Sequence, residues 1–496
     1  MKQILLIGLV LLCAELSRAW ATNRISVEEL QQIRLPEVIL ESVTKVNPDS
    51  QSKSDVVAYV EVKGVIGDHI HFELLLPDAW NRRFVMGGGG GFVGTIQNAA
   101  RDSVKKGYAT VGTDTGHQAQ TGYLADWALD NAEAKVNFGY LAVHRTAEVA
   151  KALIHSYYRE NPSFCYFVGC SRGGGQAMME AQRYPKDFDG IVAGAPAFNW
   201  TGLAATSITI AKALYPDPAH LDGSVITKDA LQRLQGAILE QLDGQDGLKD
   251  GVIQNPSSGH FDLSKVPDLT EEQRKAISVI YQGARTDKGQ IYPGFSPVAE
   301  CDPNQWVAWL TGPVPGFAKD HVPDLTFAFA TQIFKYLIFN DPDWNYATYN
   351  FSNFERDTRL AASFLNATNP DLSTFKARNG KLIIWHGWAD PALPAQGTID
   401  YYRQVHTQDA QADDYCRLFM VPGCLHCGGG PGASEVDWLS VIVDWVENGK
   451  APTKLVASKK QSGKVVMTRP LYPYPEYAIF KGNGDTNSAE SFEVKR

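Results

Sequence analysis

Short apolar runs alternate with segments of helical spacing along much of the chain, and this alternation predicts the fold class. Strand-like runs that end in Gly, Pro, Asp or Asn lie at 56–62, 71–76, 84–86 and 108–112. They are followed by a helical stripe, a strand, a helix and a strand, at 141–157, 165–169, 174–183 and 190–193. The order returns with strands at 381–385 and 417–421, each followed by a helix, at 398–405 and 436–446. Alternating strands and helices are typical of βαβ units, so we expect an α/β fold with a largely parallel sheet.

The alternation of predicted strands and helices is interrupted between residues 198 and 378. The stretch is rich in Trp, Pro, Asp and Phe, and its helical patterns, such as 270–281, are weak. Because a structureless loop of that length is uncommon inside a compact domain, we predict a separate lid inserted between two late strands. The predicted organisation is therefore a core formed by 22–197 and 379–496, with a lid at 198–378.

Composition narrows the class of partner. The chain has 496 residues, of which 44% are hydrophobic and 20% charged, so it is neither a disordered polymer nor a collagen-like repeat. Its formal net charge of -9 argues against a nucleic-acid or anionic-membrane partner, since both attract an excess of Lys and Arg.

The N-terminus has the layout of a secretory signal peptide at 1–21. Lys2 is followed by an apolar run at 4–12, and Ala19-Trp20-Ala21 supplies small residues for cleavage. The alternatives are a buried N-terminal helix and, less favoured, a lipoprotein anchored through Cys13. No later apolar run reaches the length of a membrane span, so we expect a secreted or periplasmic protein without a transmembrane anchor. Disulfides can persist in such a compartment.

A nucleophile candidate lies between a predicted strand and a predicted helix. Gly169-Cys170-Ser171-Arg172-Gly173 fits the pattern G-x-S-x-G, in which glycines permit a sharp turn that exposes a serine hydroxyl. The following helix N-terminus directs backbone N–H groups at a developing oxyanion. A purely structural turn is the alternative interpretation.

A serine nucleophile needs a base, and the base needs an acid that orients it. Asp390 follows the strand at 382–385 and His426 follows the strand at 418–421, in the order Ser, acid, His that α/β-hydrolases use. His386 and His117 also lie near strand ends and are competing candidates. We favour His426.

A cysteine adjoins each of the two reacting groups. Cys170 precedes Ser171 and Cys427 follows His426, so bringing serine and histidine together also brings these thiols within disulfide distance. We expect a Cys170–Cys427 bridge that limits relative motion of the two loops, with two free thiols as the alternative. The sequence does not settle the pairing of the remaining mature cysteines: Cys165, Cys301, Cys416 and Cys424.

The Cys-Ser, Asp and His-Cys constellation, with five glycines at 87–91 upstream, resembles the tannase and feruloyl esterase family, which includes hydrolases of mono-hydroxyethyl terephthalate. The resemblance implies an α/β-hydrolase core carrying a lid, with Ser171 as nucleophile, His426 as general base and acid, and Asp390 as orienting acid. The implied oxyanion donors are the Arg172 N–H and one N–H of the glycine run. We choose Gly90 for the second donor, with Gly91 next.

A run of carboxylates and glycines at 243–252 is a candidate metal site. On residues alone it is an Asp/Gly turn as readily as a calcium loop, and it lacks the spacing of an EF-hand. The resemblance implies a structural Ca²⁺ in the lid and no organic cofactor. The implied ligands are the carboxylates of Asp243, Asp246 and Asp250 and the carbonyls of Leu248 and Val252.

The resemblance also implies a small aromatic ester as substrate, with a feruloyl, galloyl or similar acyl group. Two or three lid aromatics are expected to face it, among Trp306, Trp309, Phe317, Phe327, Phe329, Phe334 and Trp344. A terephthalate monoester would need a cation, for which Lys335, Arg356 and Arg359 are candidates. Mono-hydroxyethyl terephthalate hydrolysis, a non-catalytic phenolic-binding protein and a calcium-dependent adhesion module remain alternatives.

Overall fold

The structure is a computed structural model that describes residues 24–48, 57–298, 300, 302 and 305–495. The predicted signal peptide at 1–21 and Cys301 lie outside these residues. Within the described ranges, no helix is both long and apolar enough to cross a lipid bilayer.

A nine-stranded mixed sheet forms the centre of the molecule, in the order β1-β2-β3-β5-β4-β6-β7-β10-β11. Five of its eight strand pairings, from β5 through to β11, are parallel, and the three that join β1, β2, β3 and β5 are antiparallel. Its strands are β1 (Val38–Val46), β2 (Tyr59–Ile66), β3 (Ile70–Pro77), β4 (Arg83–Gly87), β5 (Ala109–Thr113), β6 (Phe164–Ser171), β7 (Gly190–Pro196), β10 (Lys381–Gly387) and β11 (Cys416–Val421). The strands β8 (Ala284–Thr286) and β9 (Gly289–Tyr292) form a separate short hairpin in the lid.

The central strands are buried on both faces, as parallel strands between helical layers usually are. Along β10, Leu382 and Ile384 pack into one hydrophobic cluster, whereas Ile383 and Trp385 pack into another on the opposite face.

The α-helices of the described residues are α1 (Val27–Gln31), α2 (Ala132–Val136), α3 (Ala142–Tyr158), α4 (Arg172–Arg183), α5 (Trp200–Leu214), α6 (Lys228–Leu242), α7 (Glu271–Gln282), α8 (Leu325–Gln332), α9 (Phe354–Leu365), α10 (Ser373–Ala377), α11 (Ala395–Gln408) and α12 (Trp438–Asn448).

The lid enters between two neighbouring strands of the sheet. β7 and β10 pair in parallel, with Ile191 opposite Leu382, although the whole predicted lid lies between them in the sequence. Helices α5 to α9 lie in this segment and contribute Ile208 and Ile238 to a third hydrophobic cluster, which also contains core residues such as Phe92. The predicted fold class, an α/β-hydrolase core with an inserted lid, is therefore confirmed. The boundaries of the lid at 198 and 378 stay a prediction.

The sequence analysis missed the edge strand β1 and two C-terminal hairpins. The hairpins join β12 (Leu455–Gln461) to β13 (Lys464–Leu471) and β14 (Tyr477–Phe480) to β15 (Phe492–Lys495). These strands lie at edges, where both faces are partly exposed and polar residues interrupt the apolar pattern. The predicted strands and helices of the core are present, with ends that differ by a few residues.

A disulfide joins Cys170, at the end of β6, to Cys427, in the loop after β11, with a Cα–Cα distance of 5.9 Å. The predicted bridge is confirmed. It links positions 257 residues apart and thereby ties together the two ends of the segment that contains the lid. Cys165, Cys416 and Cys424 are free thiols.

Because the bridge closes so long a loop, it restricts the unfolded chain strongly. Replacing both cysteines, Cys170→Ser with Cys427→Ser, should lower the free energy of unfolding by roughly 2–5 kcal/mol. Guanidinium denaturation followed by circular dichroism measures this change. Cys427 is exposed, so a reductant should shift the wild-type midpoint in the same direction and leave that of the double variant unchanged. An unchanged midpoint in the double variant would contradict a stabilising bridge.

Candidate active site

Ser171 occupies a sharp turn between β6 and α4. Its backbone has φ 63° and ψ −122°, a conformation that L-residues with a side chain rarely adopt. The pairing of β6 with β7 shifts register between Cys170 and Ser171, and α4 begins at once with Arg172. A strained turn of this kind lifts a serine side chain out of the sheet toward a site above it.

Two glycines allow the helix to start so close to the strands. A Cβ atom on Gly169 would lie 2.5 Å from the backbone of Gly173, and one on Gly174 would lie 2.2 Å from the carbonyl oxygen of Gly194. Neither separation is available to a real side chain. The turn therefore requires glycine at both positions.

The structure brings the three predicted residues into one hydrogen-bonded chain. Ser171 Oγ lies 2.9 Å from His426 Nε2, and His426 Nδ1 lies 2.8 Å from Asp390 Oδ2. With Nδ1 donating to the carboxylate, Nε2 is left free to accept the serine proton. The arrangement has the geometry of a nucleophile, a base and an orienting acid.

Asp390 is a buried carboxylate in the loop between β10 and α11. Its Oδ1 accepts hydrogen bonds from the backbone N–H groups of Ala392 at 2.8 Å and Leu393 at 3.0 Å. Burial on its own would raise the pKa of Asp390, but the His426 and His386 rings outweigh burial and hold the pKa well below its usual range. Asp390 is therefore ionised at neutral pH and favours a positive charge on His426.

The two competing histidines have other roles. His386 lies 3.3 Å from the carboxylate of Asp390 and is 1% exposed. His117 stacks on Trp127 with ring centres 3.6 Å apart, and its Nε2 bonds the carbonyl of Phe92 at 2.9 Å. Burial lowers the pKa of His117 to about 4. It is His426 that contacts the serine.

Gly90, the residue chosen as second oxyanion donor, does not offer a free N–H in this structure. Its N–H already donates to Gln97 Oε1 at 2.7 Å. Gly91 lines the same cavity as Ser171, and its N–H has no acceptor among the described residues. The N–H of Arg172 is also available, because the first residue of a helix has no intrahelical acceptor. The two donors that fit are therefore those of Arg172 and Gly91.

A lid side chain that the sequence analysis missed holds the histidine loop. Gln305 Oε1 accepts a hydrogen bond from the backbone N–H of His426 at 2.8 Å, and its Nε2 lies 3.4 Å from the carbonyls of His426 and Gly428. The ring of Trp309 packs edge-on against the imidazole at 4.9 Å. Neither contact has a sequence signal, because both depend on how the lid sits over the core.

A mostly apolar cavity opens beside the serine. Lid and core residues both line it, and the large apolar ones are Trp200, Leu203, Trp309, Phe329, Ile333 and Leu393. Two of the seven aromatic residues singled out in the lid, Trp309 and Phe329, thus reach the cavity, while Trp306, Phe327 and Phe334 are buried in the lid. Lys335, Arg356 and Arg359 are not among the described residues that line it.

One cation, Arg172, belongs to the cavity wall. Its side chain is 1% exposed, its Nη2 donates to the carbonyls of Phe138 and Gly139, and its guanidinium lies 4.3 Å from the centre of the Phe138 ring. Burial lowers its pKa to about 9. The guanidinium is thus held among carbonyls and rings rather than by a carboxylate.

The aspartate loop follows α6, far from the serine in sequence. Asp243 accepts a hydrogen bond from the N–H of Gly251, and Asp250 forms an ion pair with Arg469 at 2.5 Å. Asp246 Oδ2 is buried without a hydrogen-bond partner in the described structure, and burial raises the pKa of this carboxyl to about 6. No cluster of three or more His, Cys, Asp or Glu side chains in the described ranges could hold a metal ion by itself. A cation here would need backbone carbonyls as additional ligands, which Ca²⁺ accepts.

Comparisons with known proteins indicate the same family that the sequence motifs resemble. The family model described as tannase and feruloyl esterase matches residues 54–494. A probable feruloyl esterase from Arthroderma benhamiae is 32% identical, with 85% of this chain and 82% of that protein covered. A mono(2-hydroxyethyl) terephthalate hydrolase from Piscinibacter sakaiensis is 31% identical, with 90% and 86% covered.

The fold agrees with a solved structure. The crystal structure of feruloyl esterase B from Aspergillus oryzae superposes with a TM-score of 0.82 at 24% identity, covering 95% of this chain and 100% of that one. At that identity the likeness shows the fold alone. The family match spans most of the chain, and the relatives exceed 30% identity over most of their length. This chain therefore belongs to the tannase and feruloyl esterase family.

Proposed function

We propose that this protein is a serine carboxylesterase that hydrolyses esters of aromatic acids through an acyl-enzyme. The observation that carries the proposal is the hydrogen-bonded chain from Ser171 through His426 to Asp390, placed at an aromatic cavity. Family membership and the relatives' names, a feruloyl esterase and a mono(2-hydroxyethyl) terephthalate hydrolase, support the same chemistry.

In the first half of the reaction, Ser171 Oγ attacks the ester carbonyl while His426 Nε2 takes the serine proton. The carbonyl oxygen becomes an oxyanion, which the N–H groups of Arg172 and Gly91 would stabilise. Collapse of this intermediate breaks the bond to the alcohol. His426 returns the proton to the departing oxygen, and the acyl group stays on Ser171.

In the second half, water replaces the alcohol. His426 removes a proton from the water, the resulting hydroxide attacks the acyl carbon, and the serine oxygen leaves with the proton from His426. Throughout, Asp390 accepts a hydrogen bond from Nδ1 and stabilises the transient imidazolium. The acid and free serine are the products.

The cavity favours a neutral aromatic acyl group. Trp200, Trp309 and Phe329 supply ring surface. The Ser207 hydroxyl in the same wall can bond phenolic or methoxy oxygens, and the Thr326 hydroxyl, which donates to Asp324, can accept from a phenolic O–H. The cations that a terephthalate carboxylate would need, Lys335, Arg356 and Arg359, lie outside this wall. Arg172 is 1% exposed, with Nη2 donating to two carbonyls and with Nε and Nη1 buried without a hydrogen-bond partner in the described structure. We therefore place feruloyl and galloyl esters ahead of terephthalate monoesters.

Turnover of methyl ferulate, methyl gallate and mono-hydroxyethyl terephthalate tests this proposal. We expect kcat/KM for at least one of the two phenolic esters to exceed that for the terephthalate monoester, because the latter must bury an unpaired carboxylate. Ser171→Ala should abolish turnover of all three with unchanged circular dichroism.

The same panel tests the alternative of a non-catalytic phenolic-binding protein. That alternative predicts ferulate binding with no turnover, and no labelling of Ser171 by a fluorophosphonate. Faster turnover of the terephthalate monoester would instead contradict the proposed substrate preference.

Gln305 should couple the lid to the reacting histidine. Gln305→Met keeps the approximate shape but leaves the backbone N–H of His426 without its acceptor, so kcat should fall by roughly tenfold. Gln241→Met is the matched control, since Gln241 also bonds a backbone N–H and a carbonyl, both of Asp262. Equal kcat in the two variants would contradict the coupling.

We also propose that the loop at 243–252 binds a structural Ca²⁺ through Asp243, Asp246, Asp250 and the carbonyls of Leu248 and Val252. The support is the unpartnered, buried Oδ2 of Asp246, since a buried carboxylate oxygen without a donor is costly unless a cation approaches it. The ion would hold the lid loop and take no part in the ester chemistry.

Calcium titration by calorimetry, with thermal unfolding in calcium and in EDTA, tests the site. We expect saturable binding and a lower Tm in EDTA, because a ligand bound only by the folded state stabilises it. Asp246→Asn should abolish both effects. Asp229→Asn, an exposed charge on α6, is the control. Identical Tm values in calcium and EDTA would contradict the proposal.

The proposal includes a secreted or periplasmic location. The apolar run at 4–12, preceded by Lys2, and the Cys170–Cys427 disulfide support export to an oxidising environment.

A further inference from the structure

A second imidazole contacts the carboxylate of Asp390. His386, near the end of β10, places Nε2 3.3 Å from Asp390 Oδ2, the same oxygen that accepts the hydrogen bond of His426 Nδ1. Among the described residues it is His426, not His386, that bonds the serine. The contact of His386 with Asp390 indicates another role.

The surroundings of the His386 ring determine where its proton lies. Nε2 faces two acceptors, the carbonyl oxygen of Leu393 at 3.1 Å and the Asp390 carboxylate at 3.3 Å. Nδ1 faces one group, the hydroxyl of Thr398 at 2.8 Å, which can donate. A bare Nε2 lone pair would be repelled by both acceptors. The proton therefore belongs on Nε2, with Nδ1 accepting from Thr398.

The His386 ring and its partner are buried. His386 and Thr398 are each 1% exposed. Solvent therefore does not compete for the contacts of this ring.

His386 adds a close contact to a carboxylate that already accepts hydrogen bonds at both oxygens. Oδ1 accepts from two backbone N–H groups, and Oδ2 faces the two imidazoles. Rotation of the carboxylate would break contacts at both oxygens. The orientation that His426 requires is thus held from behind by His386.

We propose that His386 is a positioning residue: with its proton on Nε2, a tautomer set by Thr398, it holds the Asp390 carboxylate in the orientation that His426 needs. The inference rests on the proposed esterase function and adds two residues, His386 and Thr398, to the site. Both act through Asp390, and neither is among the described residues that line the cavity.

Two substitutions at His386 separate donation from packing. His386→Leu removes the N–H that faces the Asp390 carboxylate at 3.3 Å and should lower kcat by roughly 10- to 100-fold, the effect of losing a polar contact with a buried charge, while KM stays within about threefold. His386→Gln keeps an N–H donor and should retain more of kcat than the leucine variant. Circular dichroism and Tm verify that each variant folds.

Thr398→Val tests the tautomer with minimal change of shape. It removes the donor to Nδ1 and should lower kcat by about three- to tenfold. The control is Thr358→Val, which removes a buried threonine hydroxyl that bonds only within α9. This control should keep the wild-type kcat.

Nitrogen NMR of protein labelled with ¹⁵N-histidine measures the tautomer directly, and the His386→Gln spectrum identifies the His386 signals. We expect an Nε2–H tautomer in the wild type and a mixture of tautomers in Thr398→Val. An Nδ1–H tautomer in the wild type would overturn the proposal. So would unchanged kcat in both His386→Leu and Thr398→Val.

The positioning role of His386 and the proposed esterase function can fail independently. If the wild type hydrolyses none of the ester panel, the proposed function fails, and the NMR measurement still reports the His386 tautomer. If the wild type turns over and the His386 and Thr398 variants match it, only the positioning role fails.

Discussion

The site depends on one constraint, the buried and charged carboxylate of Asp390. In the described structure, no arginine or lysine pairs with it. Asp390 remains ionised because two backbone N–H groups and two imidazoles surround it. An ion in such a place is stable only when its hydrogen bonds are satisfied. The loop after β10, the start of α11 and the loop after β11 must therefore keep their relative positions, and the central strands provide that rigidity.

The nucleophile is tied to this centre by covalent and steric means. The disulfide fixes the residue before Ser171 to the residue after His426, so the two reacting atoms start within hydrogen-bond distance. The backbone strain at Ser171 is tolerated because the sheet and the close glycine contacts of α4 determine it from both sides. A site built this way spends little entropy on orienting its own groups during the reaction.

The lid contributes more than a cover for the cavity. Gln305 bonds the backbone of the reacting histidine, Trp309 packs against its ring, and Phe329 completes the cavity wall. A change in lid position would therefore alter both the substrate surface and the support of His426. This gives a physical reason for a hydrophobic cluster that the lid shares with core residues such as Phe92 and Leu425, since a loosely packed segment could not hold a side chain in place.

The sequence by itself determined the α/β class, the inserted lid, the order Ser171, Asp390, His426 and the Cys170–Cys427 pair. These features have local signals, because turn chemistry, strand patterns and neighbouring residues encode them. Only the tertiary structure decided that Gly91 rather than Gly90 offers a free N–H, that Gln305 supports the histidine loop and that His386 contacts Asp390. Each of these depends on the direction of one donor or acceptor, set by the packing of the lid on the core or by a single backbone orientation. Residue identity and spacing along the chain do not specify such directions.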